Sequence, residues 1–295
     1  MKYGDIILIK KKLNRLLKNA NNRAVLNDWL KTELAYTSNA VEGNTLSRRE
    51  TALAINENLT SGAKPIRDYQ EARNHAAAFQ FILDSASSAP DKKLVLGIHE
   101  RILSGIDDRN AGTYRNVRVR ISGSRVILPN YMKVPELMDD FFKWLARPAA
   151  DVAAKAFDAH FRLVSIHPFI DGNGRTARLL MNFILMREGY APVIVRPRDR
   201  RRYLDAIENY QLTGDSARYV RFMTAALSRS MSTVIDILDR DAPDVKKMLT
   251  ISKFAAAAGV PTSTIRHWVN VGKLTPAAHT ESGYMLFNPA QATDI

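Results

Sequence analysis

The chain contains no cysteine, which removes disulfides and thiolate metal sites and suits a reducing compartment. Long apolar runs are missing as well. The longest near the start, Ile6-Ile7-Leu8-Ile9, is far too short for a signal-peptide core or a bilayer span. These two absences predict a cytoplasmic protein with no membrane partner. There is no internal repeat and no low-complexity tract. Acidic residues are scarce: 30 Asp and Glu stand against 43 Lys and Arg, a formal charge of +13.

The apolar fraction of 46% and charged fraction of 25% are those of an ordinary globular protein, and 295 residues allow one large domain with a smaller one. Residues 241–295 carry five basic and four acidic side chains, so nearly all of the positive excess lies in residues 1–240. It crowds into Lys10 to Lys18, Arg109 to Arg125 and Arg196 to Arg202. Such a surface favours polyanions (nucleic acid, nucleotides, acidic protein faces), with a merely solvated surface as the alternative.

The patterning is mostly helical. Val25, Leu26, Trp29, Leu30, Glu33, Leu34 and Tyr36 recur at helical spacing over 24–42, and Gly43-Asn44 reads as a stop. Ser47-Arg48-Arg49-Glu50 matches a capping box, which predicts a helix start near Arg48. Further helices fit 68–84, 92–104, 134–146, 151–166, 174–188, 199–212 and 216–238. Val117-Arg118-Val119-Arg120-Ile121 alternates, Ser122-Gly123-Ser124 turns, and Arg125-Val126-Ile127-Leu128 resumes, predicting a β-hairpin. Asp239 to Asp244 reads as a linker, and two short helices around Gly259-Val260 follow it.

The most informative stretch is His167-Pro-Phe-Ile-Asp171-Gly172-Asn173-Gly174-Arg175-Thr-Ala-Arg178. A residue before proline avoids the α conformation, so one helix should end near His167. The next should begin within Gly172 to Arg175. The corner between them presents backbone N–H groups at a helix N-terminus, which attract phosphate, and the glycines admit it closely. Arg175 and Arg178 share a helix face there and oppose the helix dipole by about 0.3–1 kcal/mol each, a conflict that an anionic ligand would relieve. Asp171 is a hard oxygen ligand suited to Mg²⁺ held by one carboxylate plus phosphate oxygens. His167 can take a proton from an incoming hydroxyl.

The stretch matches the Fic family signature His-Pro-Phe-x-Asp-Gly-Asn-Gly-Arg-x-x-Arg at all its fixed positions, and the chain resembles Fic proteins. That resemblance implies an all-α fold, a Fic helical core with a small β-hairpin flap. It also implies an enzyme, a nucleotidyltransferase moving AMP from ATP to a Ser, Thr or Tyr hydroxyl of a target protein, self-modification included. On this reading His167 is the general base and Asp171 the Mg²⁺ ligand. Gly172, Asn173 and Gly174 form the anion hole, with Asn173 on the α-phosphate and Arg175 and Arg178 on the β- and γ-phosphates. Tyr203 is a candidate for the adenine site. The hairpin, with Val117, Val119, Ile121 and Val126, resembles the flap that docks the target.

Ser38-Asn-Ala-Val-Glu42-Gly43 resembles the Fic inhibitory motif, making 24–43 an inhibitory helix. Glu42 falls in the last turn of its helix, where the dipole disfavours an anion, so it invites a cation. The family implies Arg178 as that cation, with Ser38 bonding to Glu42 or to phosphate. The expected domains are 1–240 and 245–295. The second resembles a MerR-like winged helix-turn-helix, with Thr262 to Val269 as the recognition helix and Gly283 to Phe287 as the wing. Its near-neutral charge weakens a DNA role, and protein contact or dimerisation is the competing reading. His267 and Trp268 read as packing residues. Two functional alternatives stay open: a DNA-binding regulator using the Fic site as a nucleotide sensor, and a transferase with a different nucleotide donor. A homodimer also stays open.

Overall fold

The computed structural model describes residues 3–60, 64–240, 248–279 and 284–292. The chain divides into two compact units, residues 1–234 and 235–295. Among the described residues no helix is long and apolar enough to cross a membrane.

Ten α-helices arise in or begin in the first unit: α1 Tyr3–Leu16, α2 Ala20–Glu42, α3 Arg48–Asn56, α4 Ile66–Asp84, α5 Lys92–Leu103, α6 Val134–Leu145, α7 Val152–Ile166, α8 Asn173–Arg187, α9 Arg200–Thr213 and α10 Ala217–Arg240. Local chemistry fixes their ends. The Asn19 side chain caps α2, and Gly43 at φ 102° stops it in the left-handed region. The Ser47–Glu50 capping box opens α3, with both reciprocal bonds made. Asp91 and Asp151 cap α5 and α7. The first helix was not anticipated, because its basic residues mask a narrow apolar stripe that buries Ile6 and Leu13.

The hub is α8, buried almost without interruption from Asn173 to Leu185. It packs on α7, α5, α4 and α2. An all-round buried helix is what the apolar run after Arg178 requires. The expected linker begins later than its composition suggests: Asp239 and Arg240 still belong to α10, and 241–247 lie outside the described residues.

The expected hairpin at 117–128 is corrected in one respect. The chain does turn, with Ser124 N bonded to Ile121 O at 3.1 Å and Gly123 at φ 75°, but no residue of 117–128 lies in a strand. Several of the groups that would pair the two arms are committed elsewhere. Arg125 N goes to Glu208 Oε1 and Val126 N to Ser124 Oγ. The carbonyls of Val117 and Pro129 accept from the buried Arg115 guanidinium at 3.1 and 2.7 Å.

In the second unit, β1 Leu249–Thr250, α11 Ile251–Ala257, α12 Thr262–Asn270, β2 Ala278–His279 and β3 Met285–Phe287 form a small winged-helix arrangement. The sheet order is β1-β3-β2, both pairs antiparallel, with Leu249 opposite Phe287 and Ala278 opposite Leu286. Phe254, Ala255, Ile265, Leu274 and Phe287 make its core, with Trp268 packed against them. His267 is exposed, and Gly283 lies outside the described residues.

Candidate active site

The corner between α7 and α8 starts with His167, which takes φ 52°, ψ 59° and bonds its N–H to Leu163 O. A left-handed histidine is uncommon. It carries the proline rule's prohibition of α geometry into a sharp exit from α7. Its Nδ1 lies 3.3 Å from Val164 O. A carbonyl only accepts, so Nδ1 bears the proton and Nε2 keeps a free lone pair. Burial lowers the His167 pKa, and Arg115 lowers it further against the opposing pull of the Val164 bond, Glu42 and Asp171. The ring is therefore neutral and basic at Nε2.

Gly172 caps α8 at φ 76°. The first backbone bond of the helix is Thr176 N to Gly172 O at 2.9 Å. The N–H groups of Asn173, Gly174 and Arg175 precede it and have no intrahelical partner. Unpartnered N–H groups at a helix N-terminus attract anions.

A carboxylate of the chain's own lies over it. A Cβ built on Gly174 would collide with Glu42 Oε1 and lie 3.0 Å from Arg178 Nη1. Arg178, 4% exposed, donates Nη2 to Glu42 Oε1 at 2.6 Å and to Ser38 O at 3.0 Å. Its Nε reaches Ser38 Oγ at 3.0 Å and its Nη1 reaches Tyr203 Oη at 3.4 Å. Burial alone would lower its pKa, yet Glu42, then Tyr203, raise it and hold the guanidinium charged. Ser38 is thus committed to Arg178 rather than to Glu42.

The end of α2 that carries Glu42 is fastened on several sides. Arg200 Nε bonds Val41 O. Asn44 Nδ2 bonds Asp68 O and Glu71 Oε2, both at 3.0 Å, and Thr45 N and Oγ1 bond Asp68 Oδ2.

Three residues expected at the ligand have partners within the protein. Both ends of the Asn173 amide are spent on Phe169, whose N–H donates to Oδ1 and whose O accepts from Nδ2, each at 2.9 Å. These bonds shape the loop. Arg175 is buried, with Nη1 3.1 Å from Glu71 Oε1 and Nη2 3.1 Å from Asp171 Oδ1, so its charge is already matched. Tyr203 is 1% exposed, and its hydroxyl meets Arg178 Nη1 and His160 Nε2.

Beneath Arg178 the proton positions follow by elimination. Tyr219 Oη donates to Phe157 O at 2.8 Å, so His160 Nδ1 donates to Tyr219 Oη at 2.8 Å. His160 Nε2 then accepts from Tyr203 Oη at 2.7 Å, and Tyr203 accepts from Arg178. Burial, aided by Arg178, pushes His160 to about 3. His75 on α4, also buried, is pushed to about 3 by burial and then by Arg178 and Arg175.

Asp171 is 44% exposed and stays ionised. Burial would raise its pKa, but Arg175, the Gly172 N–H and Arg67 outweigh that and lower it. Arg67 Nη2 lies 2.8 Å from Oδ2. His99 holds the same loop. It accepts from Gly112 N at 3.0 Å, hence donates Nε2 to Asp171 O at 3.0 Å, and it stacks on Phe169 at 3.6 Å. Burial foremost puts its pKa at about 4, in keeping with that neutral tautomer. Arg115 ties the flap base to the corner through His167 O at 2.8 Å and Pro168 O at 2.8 Å.

A half-exposed, anionic, single carboxylate fits Mg²⁺ shared with phosphate oxygens. Among the described residues no cluster of three His, Cys, Asp or Glu would hold a metal unaided.

Sequence reasoning missed Arg67, Glu71, His99, His160 and Tyr219. Polar residues inside the otherwise buried face of α4 (Asp68, Glu71, Asn74, His75) were the available signal for part of this set.

Known proteins resemble this chain in sequence and fold. A family model described as the Fic/DOC family matches residues 89–185, and one described as MerR family regulatory protein matches 250–287. The chain is 33% identical over 217 residues to protein adenylyltransferase fic-1 of Caenorhabditis briggsae, covering 71% of this chain and 42% of that protein. It is 34% identical over 224 residues to protein adenylyltransferase Fic of Aedes aegypti, covering 74% and 43%. The chain therefore spans about two fifths of the length of the curated relatives it matches.

Among solved structures, a fragment of Fic-1 from C. elegans superposes with a TM-score of 0.69 at 30% identity, covering 79% of this chain and 69% of that one. A Fic domain containing signaling protein from Bacteroides thetaiotaomicron gives 0.72 at 26% identity, covering 79% and 96%. The corner motif falls inside the matched region and the helical core superposes on solved relatives: the chain belongs to the Fic/DOC family.

Proposed function

We propose that this chain is a protein adenylyltransferase held in an inhibited state by its own Glu42. The observation that carries the reading is the Glu42 carboxylate lying over the α8 N-terminus and paired with the buried Arg178 at 2.6 Å, beside a histidine whose Nε2 is free to accept a proton. In the active state Glu42 withdraws, and the α8 N–H groups with Arg178 hold the phosphates of ATP. His167 takes the proton from a target Ser, Thr or Tyr hydroxyl as its oxygen attacks the α-phosphorus in line. The bond to the bridging oxygen breaks and pyrophosphate leaves. Asp171 would hold Mg²⁺, which supplies neutralisation of the phosphate charge. Positioning and charge compensation dominate such transfers. The loop 116–128, fastened to His167 by Arg115, receives the target.

Labelled ATP with Mg²⁺ tests the reading. Glu42→Gly should raise AMP incorporation, into target or into the chain itself, roughly tenfold or more, and adding His167→Ala should abolish it. Equal incorporation by wild type and Glu42→Gly would remove the brake, and labelling that survives His167→Ala would remove the mechanism. The named relatives support ATP as donor, and competition by other nucleotides tests that choice. For residues 248–292 the MerR likeness supports duplex-DNA binding through α12, where Arg266 is exposed. A mobility shift lost on Arg266→Ala is the expected outcome. Absence of a shift at about 50 mM salt would assign this unit to protein contacts.

A further inference from the structure

Resting on the transferase reading, we propose that the loop 116–128 selects its target by charge, docking an extended acidic segment of the protein to be modified. From Arg109 to Lys133 the chain carries six basic residues and no acidic one. Arg118, Arg120 and Arg125 are exposed and, with Val119, Val126 and Ile127, line a concavity of about 730 Å³. Among the described residues none of these guanidiniums makes a direct ion pair, and the one carboxylate nearby is Glu208, which holds the Arg125 N–H and feels the Arg125 charge. Arg175 and Arg178, buried at the corner, in contrast each face an acid. Three like charges on one short loop repel one another, and an anionic partner relieves that.

The frame around them is fixed. Arg115 spans the loop base through three carbonyls, and Glu208 on α9 holds Ser124 Oγ and Arg125 N at 3.0 and 2.8 Å. Between these anchors, the N–H groups of Val117 to Ile121 have no hydrogen-bond partner among the described residues, so the backbone is open to an added strand. Alternation of arginine with valine or isoleucine presents charge and apolar surface at strand pitch, which a segment alternating Glu or Asp with apolar residues complements. Residues 115–130 contain no aromatic side chain, so no stacking platform for single-stranded nucleic acid is present.

Fluorescence anisotropy on the full chain tests this without requiring catalysis. The probe is a labelled peptide alternating Glu and Val around one Tyr, compared with the same peptide carrying Gln for Glu. The acidic peptide should bind roughly tenfold tighter at low salt, as three exposed ion pairs allow. Added salt and the combined Arg118→Glu, Arg120→Glu and Arg125→Glu changes should erase the preference. Reversing three exposed charges elsewhere (Lys11, Arg15 and Lys18 to Glu) should change affinity less than about twofold at equal net charge, well under the effect of a direct ion pair. Equal affinity for both peptides, preference retained in the loop variant, or tighter binding of a 12-nucleotide single strand through the same arginines would each overturn the proposal. Binding preference without any His167-dependent AMP transfer would sink the transferase reading alone. Transfer that ignores acidic flanks would sink this proposal alone.

Discussion

Replacing Glu42 by Gln separates the charge of the brake from its shape. Gln keeps an acceptor oxygen within reach of Arg178 Nη2, so the 2.6 Å contact can persist as a neutral hydrogen bond while the compensating charge disappears. Breaking a fully buried ion pair by removing one charge costs about 3–5 kcal/mol. Two features reduce that figure here. Glu42 is 39% exposed, so water screens the pair, and Ser38 and Tyr203 still accept from the guanidinium. The remaining loss is about 1–3 kcal/mol, which in a unit of this size lowers Tm by roughly 2–12 °C.

Adding ATP with Mg²⁺ then gives the discriminating readout. In the wild type the phosphates must displace Glu42, whereas in the variant they restore a missing anion. Ligand at 100 times its Kd contributes about 2.7 kcal/mol. Differential scanning fluorimetry should therefore show the variant melting below wild type alone and gaining more from nucleotide. Equal Tm values in the absence of nucleotide, or equal gains on adding it, would refute the claim that Glu42 occupies the place of a phosphate.

The same corner supports three further predictions. Gly174→Ala, which on helix propensity alone should stabilise by about 0.8–1 kcal/mol, should instead destabilise in denaturant melts because its Cβ collides with Glu42; in a Glu42→Gly background the sign should reverse, and an unchanged cost there would show the clash is irrelevant. Tyr203→Phe removes the donor to His160 Nε2 and leaves a buried acceptor unpaired, a loss of about 1–3 kcal/mol in urea unfolding; no change would mean water reaches His160. Acid should destabilise the chain before carboxylates titrate: His75 and His160 resist protonation until about 3 when folded but protonate near 6.5 when unfolded, so their contribution is complete above that pH and is lost as pH falls. A Tm constant between pH 6.5 and 5 would contradict their dry, neutral state.

Where a property is local, the sequence reading and the structure coincide. Periodicity and Gly43 delimit α2, Ser47 and Glu50 open α3, and Pro168 forces the turn at His167, because each depends on a few neighbouring residues. The loop 117–128 shows how such reasoning fails. Alternation does describe a strand-competent segment, but Glu208, more than eighty residues away, captures one donor and Arg115 captures the carbonyls. For Tyr203 and Asn173 the same limit applies. Helical position alone does not say whether an aromatic ring meets a ligand or a buried histidine, nor whether an amide at a helix entrance faces phosphate or its own loop. The pairing of Arg67 with Asp171 joins α4 to the corner loop about a hundred residues away, and packing alone reveals it.

The paired acids also tie the proposed inhibition to stability. Arg175 and Arg178 stand in the first turns of α8, where the helix dipole already disfavours cations, and both are buried. Two unpaired guanidiniums there would cost several kcal/mol each. Glu71 and Asp171 answer the first charge and Glu42 the second. Glu42 in turn ends α2, where its own helix dipole repels it, so its favourable surroundings come from α8 and Arg178 rather than from α2. Each helix end supplies what the other lacks. On the proposed function, a nucleotide exchanges for a carboxylate at a site that is already neutralised, and its affinity is the difference between two anions competing for one set of donors. Any change that pulls the end of α2 away (loss of the Arg200 bond to Val41, or of the Asn44 and Thr45 bonds to α4) should act on nucleotide affinity in the same direction as removing Glu42, although none of those residues touches the phosphate nest.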